Sequence, residues 1–346
     1  MESTRRSLLK SCAVGSMFGG FGLAGCLELP FDGGSGDSGP PGYASALYDP
    51  SAIMSPKYSV FGRGNLDHCS ENDAAVPEKY WTRIETIAGR IDGVDVDSID
   101  TLTGITSRNP DRNVAGGAMV TSGQFDPDGI ETTVEDRFGT EYDRSTRDGV
   151  TIYTVDRGQM DFGEQVRSNT VTFGVAEDRV FVGGMQAAQA TSTEAVRGMI
   201  AAEKGDRSRL CDAHAGANEL LSRIGRAPIV GGIHFDSPLD ESATGNLPDD
   251  VGAVAEDLVA FGTGSEIDGE SMNHTVGLTY ADTDTPSKGS IEAAIETISS
   301  RVNSFRCLFH DVSITTENRT VIVSATGTAE AFFELLGVFW FPASGP

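Results

Sequence analysis

Five histidines and five cysteines carry most of the metal-binding and nucleophilic capacity of this 346-residue chain. Cys211-Asp-Ala-His214 sets a thiol and an imidazole three residues apart, on one face of a helix. His68-Cys69 is a second such pair, and the four side chains together have the composition of a tetrahedral Cys₂His₂ zinc site. The close Cys-x-x-Cys spacing is missing, however, and an adjacent His and Cys turn awkwardly toward one centre. The plainer expectation is a helical thiol packed inward. Asp92, Asp95, Asp97 and Asp100 cluster in one stretch, while Asp126/Asp128 and Asp249/Asp250 precede helices. Loop carboxylates can hold calcium. No EF-hand spacing occurs, and aspartate is spread along the whole chain, so helix capping and a solvated surface are expected. His234, two residues before Asp236 at the end of a strand, has the types of an acid–base pair without a visible third partner. A Gly-x-Ser-x-Gly elbow, a Gly-x-Gly-x-x-Gly or Walker loop at a strand end, and His-Glu-x-x-His are all absent. These residues assign no catalytic group, metal or cofactor, and the expectation is a protein that is not an enzyme.

The elements that would position these residues alternate between helical and extended periodicity. Lys57–Phe61 reads as a strand, and Pro77–Ile91 as a helix opened by proline. Ser98–Thr106 and Val114–Phe125 read as strands around an Asn109-Pro110-Asp111 turn. Asp126 is a natural N-cap and Pro127 a natural first residue for a helix with Ile130, Val134 and Phe138 on one face. Val150–Val155 reads as a strand, Val171–Gly184 as a hairpin, and Thr193–Glu203 and Leu210–Ile224 as helices. The second half gives a strand at Ile229–Phe235, a helix at Pro248–Leu258, and strands at Val259–Gly264 and Asn273–Ala281. A helix at Ser290–Val302, a hairpin across Glu317-Asn318 and a final helix at Ala329–Leu336 complete it. Leu335–Phe341 is apolar, contains Trp340 and Phe341, and is too short to span a bilayer. Core packing is its expected role, with a partner-binding patch next.

The halves follow one order. Ile99–Ile105 corresponds to Leu258–Thr263, and Ala118–Phe125 to Thr275–Ala281. Ile130-Glu-Thr-Thr-Val-Glu135 echoes Ile291-Glu-Ala-Ala-Ile-Glu296. The expected class is therefore α+β: two similar units of mainly antiparallel sheet with helices packed on one face, an internal duplication. Their bounds are 55–205 and 227–346, joined by a connecting helix over 206–226.

The formal charge of -25, from 51 acidic and 26 basic side chains, repels nucleic acid and anionic head groups. In concentrated salt the Debye length falls to about 3 Å, which screens such repulsion. The composition resembles that of halophilic archaeal proteins.

The N-terminus carries the address. Thr4-Arg5-Arg6-Ser7-Leu8-Leu9-Lys10 resembles a twin-arginine export signal, and the glycine-rich apolar run Ala13–Ala24 is too short to span a membrane. Leu23-Ala24-Gly25-Cys26 resembles a lipobox, whose small residues admit the signal peptidase and whose cysteine takes the lipid. Residues 1–25 are then a cleaved signal peptide, with Arg5 and Arg6 read by the twin-arginine translocase. The Gly/Ser/Pro-rich stretch from residue 26 to 54 is a flexible tether from the membrane. Together these features resemble a haloarchaeal exported lipoprotein on the outer face of the cell membrane. Its expected role is non-enzymatic binding or scaffolding, with a solute-binding lipoprotein or an extracellular hydrolase as alternatives. On that reading Cys69, Cys211 and Cys307 are left, enough for one disulfide or for three buried thiols. Asn273 and Asn318 lie in glycosylation sequons.

Gly123-Gln-Phe125-Asp126, Gly149-Val-Thr-Ile152-Tyr153 and Asp178-Arg-Val-Phe-Val-Gly183 are similar to segments of an envelope-associated family of unknown function, over about residues 95–203. That resemblance implies no catalytic residues.

Overall fold

The computed structural model describes residues 39–79, 81–82, 85, 91–112, 114–138, 142–156, 170–186 and 191–333. The signal region with Arg5, Arg6 and Cys26, parts of the expected 77–91 helix, and the 335–341 run lie outside the described residues.

Strands built on β-branched and aromatic residues form one twelve-stranded sheet, every neighbouring pair of which is antiparallel. In the first half these are β1 (Tyr58–Asn65), β2 (Ile99–Asn109), β3 (Val114–Gly123), β4 (Asp143–Arg147), β5 (Val150–Asp156), β6 (Thr170–Val175) and β7 (Arg179–Gln186). The second half supplies β8 (Ile229–Phe235), β9 (Leu258–Asp268), β10 (Ser271–Tyr280), β11 (His310–Glu317) and β12 (Thr320–Thr328). From one edge to the other the order is β11-β12-β10-β9-β8-β1-β2-β3-β7-β6-β5-β4. The two halves meet where β1 pairs with β8, and each then runs outward in matching sequence: β1 and β8, β2 and β9, β3 and β10, β7 and β12. The first half adds the β4–β5 hairpin at its edge.

The α+β class and the antiparallel pairing are as expected. Two details differ. The units share one continuous sheet, and the helices cover both of its faces. On one face lie α3 (Ser192–Lys204), α4 (Leu210–Ala213) and α5 (Ala215–Ile224), over a core of Phe61, Ile105, Ile152 and Phe181. On the other lie α1 (Leu66–Glu71), α2 (Pro127–Phe138), α7 (Asp249–Ala255) and α8 (Lys288–Arg301), over Leu102, Met119, Tyr153, Tyr280 and Val323. Two short helices, α6 (Glu241–Thr244) and α9 (Asn303–Arg306), fill connections. Coverage of both faces explains why β3 is buried at eight of its ten positions, where a sheet with one wet face would alternate.

Local chemistry fixes the helices. Thr191 and Glu194 close a capping box on α3, and Gly205 ends it in the left-handed conformation at φ 79°. The Thr172 hydroxyl, wholly buried, lies 2.8 Å from the Ser192 hydroxyl and ties β6 to the start of α3. The expected N-cap at Asp126 is present, its carboxylate accepting from the Asp128 amide at 3.2 Å. The expected connecting helix is two helices broken at His214, and the second is a packing element. α5 sits so close to β9 and β10 that a Cβ on Gly277 would be 2.5 Å from Leu220 Cδ1. Glu219 on α5 pairs with Arg319 at 3.0 Å and accepts from Thr320 at 2.9 Å, which fixes the helix over the start of β12.

The tether bounds also change. Residues 42–54, expected to be part of a flexible leash, form two short 3₁₀ turns wedged against α3 and α4. Leu47 and Tyr48 are fully buried, and main-chain bonds run from Asp49 N–H to Ser208 O at 2.9 Å and from Leu210 N–H to Leu47 O at 2.7 Å. We therefore expect Leu47→Ala to cost about 2–5 kcal/mol, the usual range for emptying a packed leucine site. Urea unfolding in concentrated salt measures it, and a loss below about 0.5 kcal/mol, the range of a surface change, would return the segment to the tether.

Candidate functional site

The sheet separates the residues that the sequence suggested for zinc. Cys211 packs in the core of the α3/α5 face, and Cys69 packs in the core of the opposite face. A single Cys₂His₂ centre is thereby excluded. Burial pushes the Cys211 thiol up to about 12, with Asp212 adding to the rise, so it stays protonated. Cys69 is also buried, Cys307 is exposed, and all three are free thiols.

His214 and His234, drawn from two separate candidate pairs, come together instead. His214 stands at the break between α4 and α5, and His234 is on β8 facing the same core. Their ring centroids are 4.2 Å apart. A third residue completes the cluster: Asp49 Oδ1 lies 3.4 Å from His214 Nε2. Asp49 had no signal in the sequence, because it belongs to the segment read as leash. Burial raises its pKa, but hydrogen bonds from the Ser51 hydroxyl and amide and from His214 outweigh that, so the carboxyl lies below its ordinary value. Asp236, the expected partner of His234, is exposed past the end of β8 and gives its amide to Lys57 O at 3.0 Å.

The tautomer of His234 follows from its partner. Nδ1 is 3.1 Å from Val259 O, and a carbonyl only accepts, so Nδ1 carries the proton. Nε2 is then a bare acceptor, buried without a partner among the described residues. Burial, then the neighbouring His214, lowers the pKa of His234 to about 4. His274, on the opposite face, is likewise lowered to about 4 by burial, its Nδ1 2.9 Å from the Ser265 hydroxyl. His68 Nε2 accepts from the Ile267 amide at 3.2 Å, so His68 is a packed strut between α1 and β9. No nucleophile is hydrogen-bonded to His214 or His234 among the described residues. The Asp49–His214–His234 cluster joins the 42–54 segment, the helix break and the sheet.

The aspartates serve caps and surface. Asp95 accepts from the Asp97 amide at 3.1 Å, and Asp92 gives its amide to Thr133 at 2.8 Å. Asp95 and Asp97 line, with Asp73, Glu85 and Trp81, an open cavity of about 600 Å³. Among the described residues no three His, Cys, Asp or Glu side chains converge on a metal position. Among the same residues no helix is long and apolar enough to cross a membrane. Both sequon asparagines, Asn273 and Asn318, are exposed.

Protonating either buried histidine opposes folding. The folded pKa is about 4 for each, against 6.5 for a free imidazole. The stability these groups contribute is present above pH 6.5 and is lost as pH falls through 4, at most about 3 kcal/mol each by 1.36 kcal/mol per unit. We expect His234→Gln to flatten the fall in unfolding free energy between pH 6.5 and 4.5. Urea titrations at constant ionic strength check this, and an unchanged slope would refute the burial of a neutral ring.

No family model matches the chain, and no curated protein is similar to it. Among solved structures it is similar to three crystal forms of TP0453. Form I shares 11% identity at a TM-score of 0.44, covering 87% of this chain and 98% of that one. Form III gives 13% and 0.46, covering 88% and 98%. Form IV gives 14% and 0.44, covering 86% and 99%.

Proposed function

We propose that this protein is exported in folded form by the twin-arginine route, lipidated at Cys26, and held on the outer face of the cell membrane. There its sheet domain acts as a non-enzymatic binding or scaffolding surface in the envelope. The observation that carries this reading is the order of four features along the chain: Arg5-Arg6, a short apolar run, Leu23-Ala24-Gly25-Cys26, and a Gly/Ser/Pro leash. The leash runs from Leu27 to Pro41 and ends where the 3₁₀ turn Gly42–Ala46 begins. As a flexible coil, those residues span roughly 20–25 Å root-mean-square, so the domain stands close to the bilayer. Two lipid chains on Cys26 make such an anchor stable where one is marginal. The acidic surface supports a salt-rich setting, since concentrated salt screens its self-repulsion.

A solute-binding lipoprotein, the alternative reading, works by closing two lobes about a hinge. The seven residue pairs between β1 and β8 run straight through the place a hinge would occupy, and no observation favours that alternative.

Two variants test the proposal. Arg5→Lys with Arg6→Lys is expected to leave precursor in the cytoplasm, and normal export would refute the twin-arginine route. Cys26→Ser is expected to release protein to the medium or to block maturation. Unchanged, detergent-dependent membrane fractionation of that variant would refute the lipid anchor.

A further inference from the structure

The Asp49–His214–His234 cluster lies where a separable piece of chain meets the sheet. Among the described residues, two main-chain bonds, to Ser208 and Leu210, tie residues 42–54 to the connection between α3 and α4. Their downstream end is pinned on its own. Asn109 Nδ2 donates to Ser55 O at 2.6 Å, and Lys57 N–H to Arg108 O at 2.7 Å, just before β1 begins. The segment can therefore swing from Ser55–Lys57 without breaking any strand pair of the sheet. The elements beneath it are held more firmly. Leu210, Ala217, Leu220 and Leu221 of α4 and α5 are wholly out of water, and Glu219 ties α5 to Arg319 and Thr320.

Inside this seat a proton on His234 has nowhere to go. The neutral ring gives Nδ1–H to Val259 O, and Nε2 is buried without a partner. A second N–H there finds no acceptor among the described residues, and its charge sits beside the His214 ring. Each neighbouring element offers little. β1 and β9 set Ser59 and Ala260 opposite His234, neither of them charged, and Ser59 is bonded to Ser107 at 2.8 Å. α4 adds the protonated Cys211 thiol to the same core. The segment brings Asp49, the carboxylate that acts on His234, but its oxygens are already shared between Ser51 and His214. Past the strand end, Asp236 is exposed and Lys57 is paired with Asp111 at the surface. A charged His234 is better placed in water, so proton binding favours whichever state exposes it.

We propose that the cluster is an acid-released latch: protonation of His234 frees residues 42–54 as a unit, hinged at Ser55–Lys57, while the sheet and its helices stay folded. Release bares the patch of α3 and α4 that the segment covers. Tyr48 packs so closely on α3 that a Cβ on Gly198 would be 3.3 Å from its ring, and Cys211 is near enough to Tyr43 to act on its phenol. On the export reading, which the latch itself does not need, the freed residues lengthen the leash.

Three free thiols report on the latch. Cys211 lies under the segment, Cys69 is buried in the core of the opposite face, and Cys307 is exposed and checks the reagent. The full chain is labelled with a pyridyl disulfide, which reacts in acid, and each cysteine is followed by peptide mass spectrometry. The urea-unfolded chain at the same pH is the reference for protection. Between pH 7.5 and 4.5 the protection of Cys211 is expected to fall roughly ten- to a hundredfold, as a shift from 6.5 to about 4 permits. At pH 4.5 Cys211 should label well ahead of Cys69 and respond little to dilute urea, as local openings do. His234→Gln should remove most of the fall. Leu47→Ala should lower Cys211 protection by the same factor at both pH values. Cys211 and Cys69 labelling together, with the urea dependence of full unfolding, overturns the latch, because the histidine then only weakens the whole fold. So does a fall that persists in His234→Gln, or a Cys211 protection indifferent to pH or to Leu47→Ala.

Discussion

The ladder between β1 and β8 is the constraint on which the rest of the structure depends. Each half alone would leave its central edge strand open. Joined in register, Tyr58 opposite Phe235 through Gly64 opposite Ile229, the two edges become the middle of one sheet. Phe61 sets that register. Its ring, 1% exposed, lies across Gly232 on β8, where an added Cβ would be 2.5 Å from it. A slip by one residue would turn Phe61 out of the core and put side chains where the ring now lies. The outer edges are handled differently. β4 is polar and largely exposed, and β11 breaks register between His310 and Ser313, where Asp311 has a positive φ. Both devices discourage further strands from adding.

A sheet this wide needs cover on both faces, and the chain distributes its helices accordingly. The α3/α5 face is closed by helices approaching over glycine and by the 42–54 segment. That segment is held by Leu47 and Tyr48, and it also brings Asp49 to His214. The histidine cluster is thus a by-product of how the N-terminal segment is seated, and its buried, neutral His234 makes the seat acid-sensitive. Burying Leu47 and Tyr48 contributes about 1.5–3 kcal/mol per side chain, the same order as the at most about 3 kcal/mol that one histidine titration removes. The cluster therefore makes the seating of the segment depend on pH.

Polar groups inside the fold are largely neutral. Hydroxyls on Thr172 and Ser192, and on Thr279 and Thr320, meet at 2.8 and 3.0 Å in the interior. Most ion pairs stay at the surface, among them Lys57 with Asp111 and Lys288 with Glu292, where each contributes little. These exposed pairs leave the packing of the interior to apolar contacts.

Much of this was legible in the order of residues alone. Periodicity located most strands and helices because each buries a face through neighbours near in sequence, and Asp126-Pro127 marked its helix start for the same local reason. β4 escaped because Asp143-Arg-Ser-Thr-Arg147 has no apolar alternation. The Asp148-Gly149 turn, with both residues at positive φ, was the signal that marks its hairpin. The twin-arginine-like and lipobox-like motifs are linear patterns, so they are legible in the sequence without the fold. Contacts between distant residues are another matter. That β1 would pair with β8, that helices would lie on both faces, that Asp49 would reach His214 across 165 residues, and that the sheet would part Cys69 from Cys211 were decided only in three dimensions. The physical reason is that strand pairing and burial reward any complementary edge or face, and only the packed whole selects which one is met.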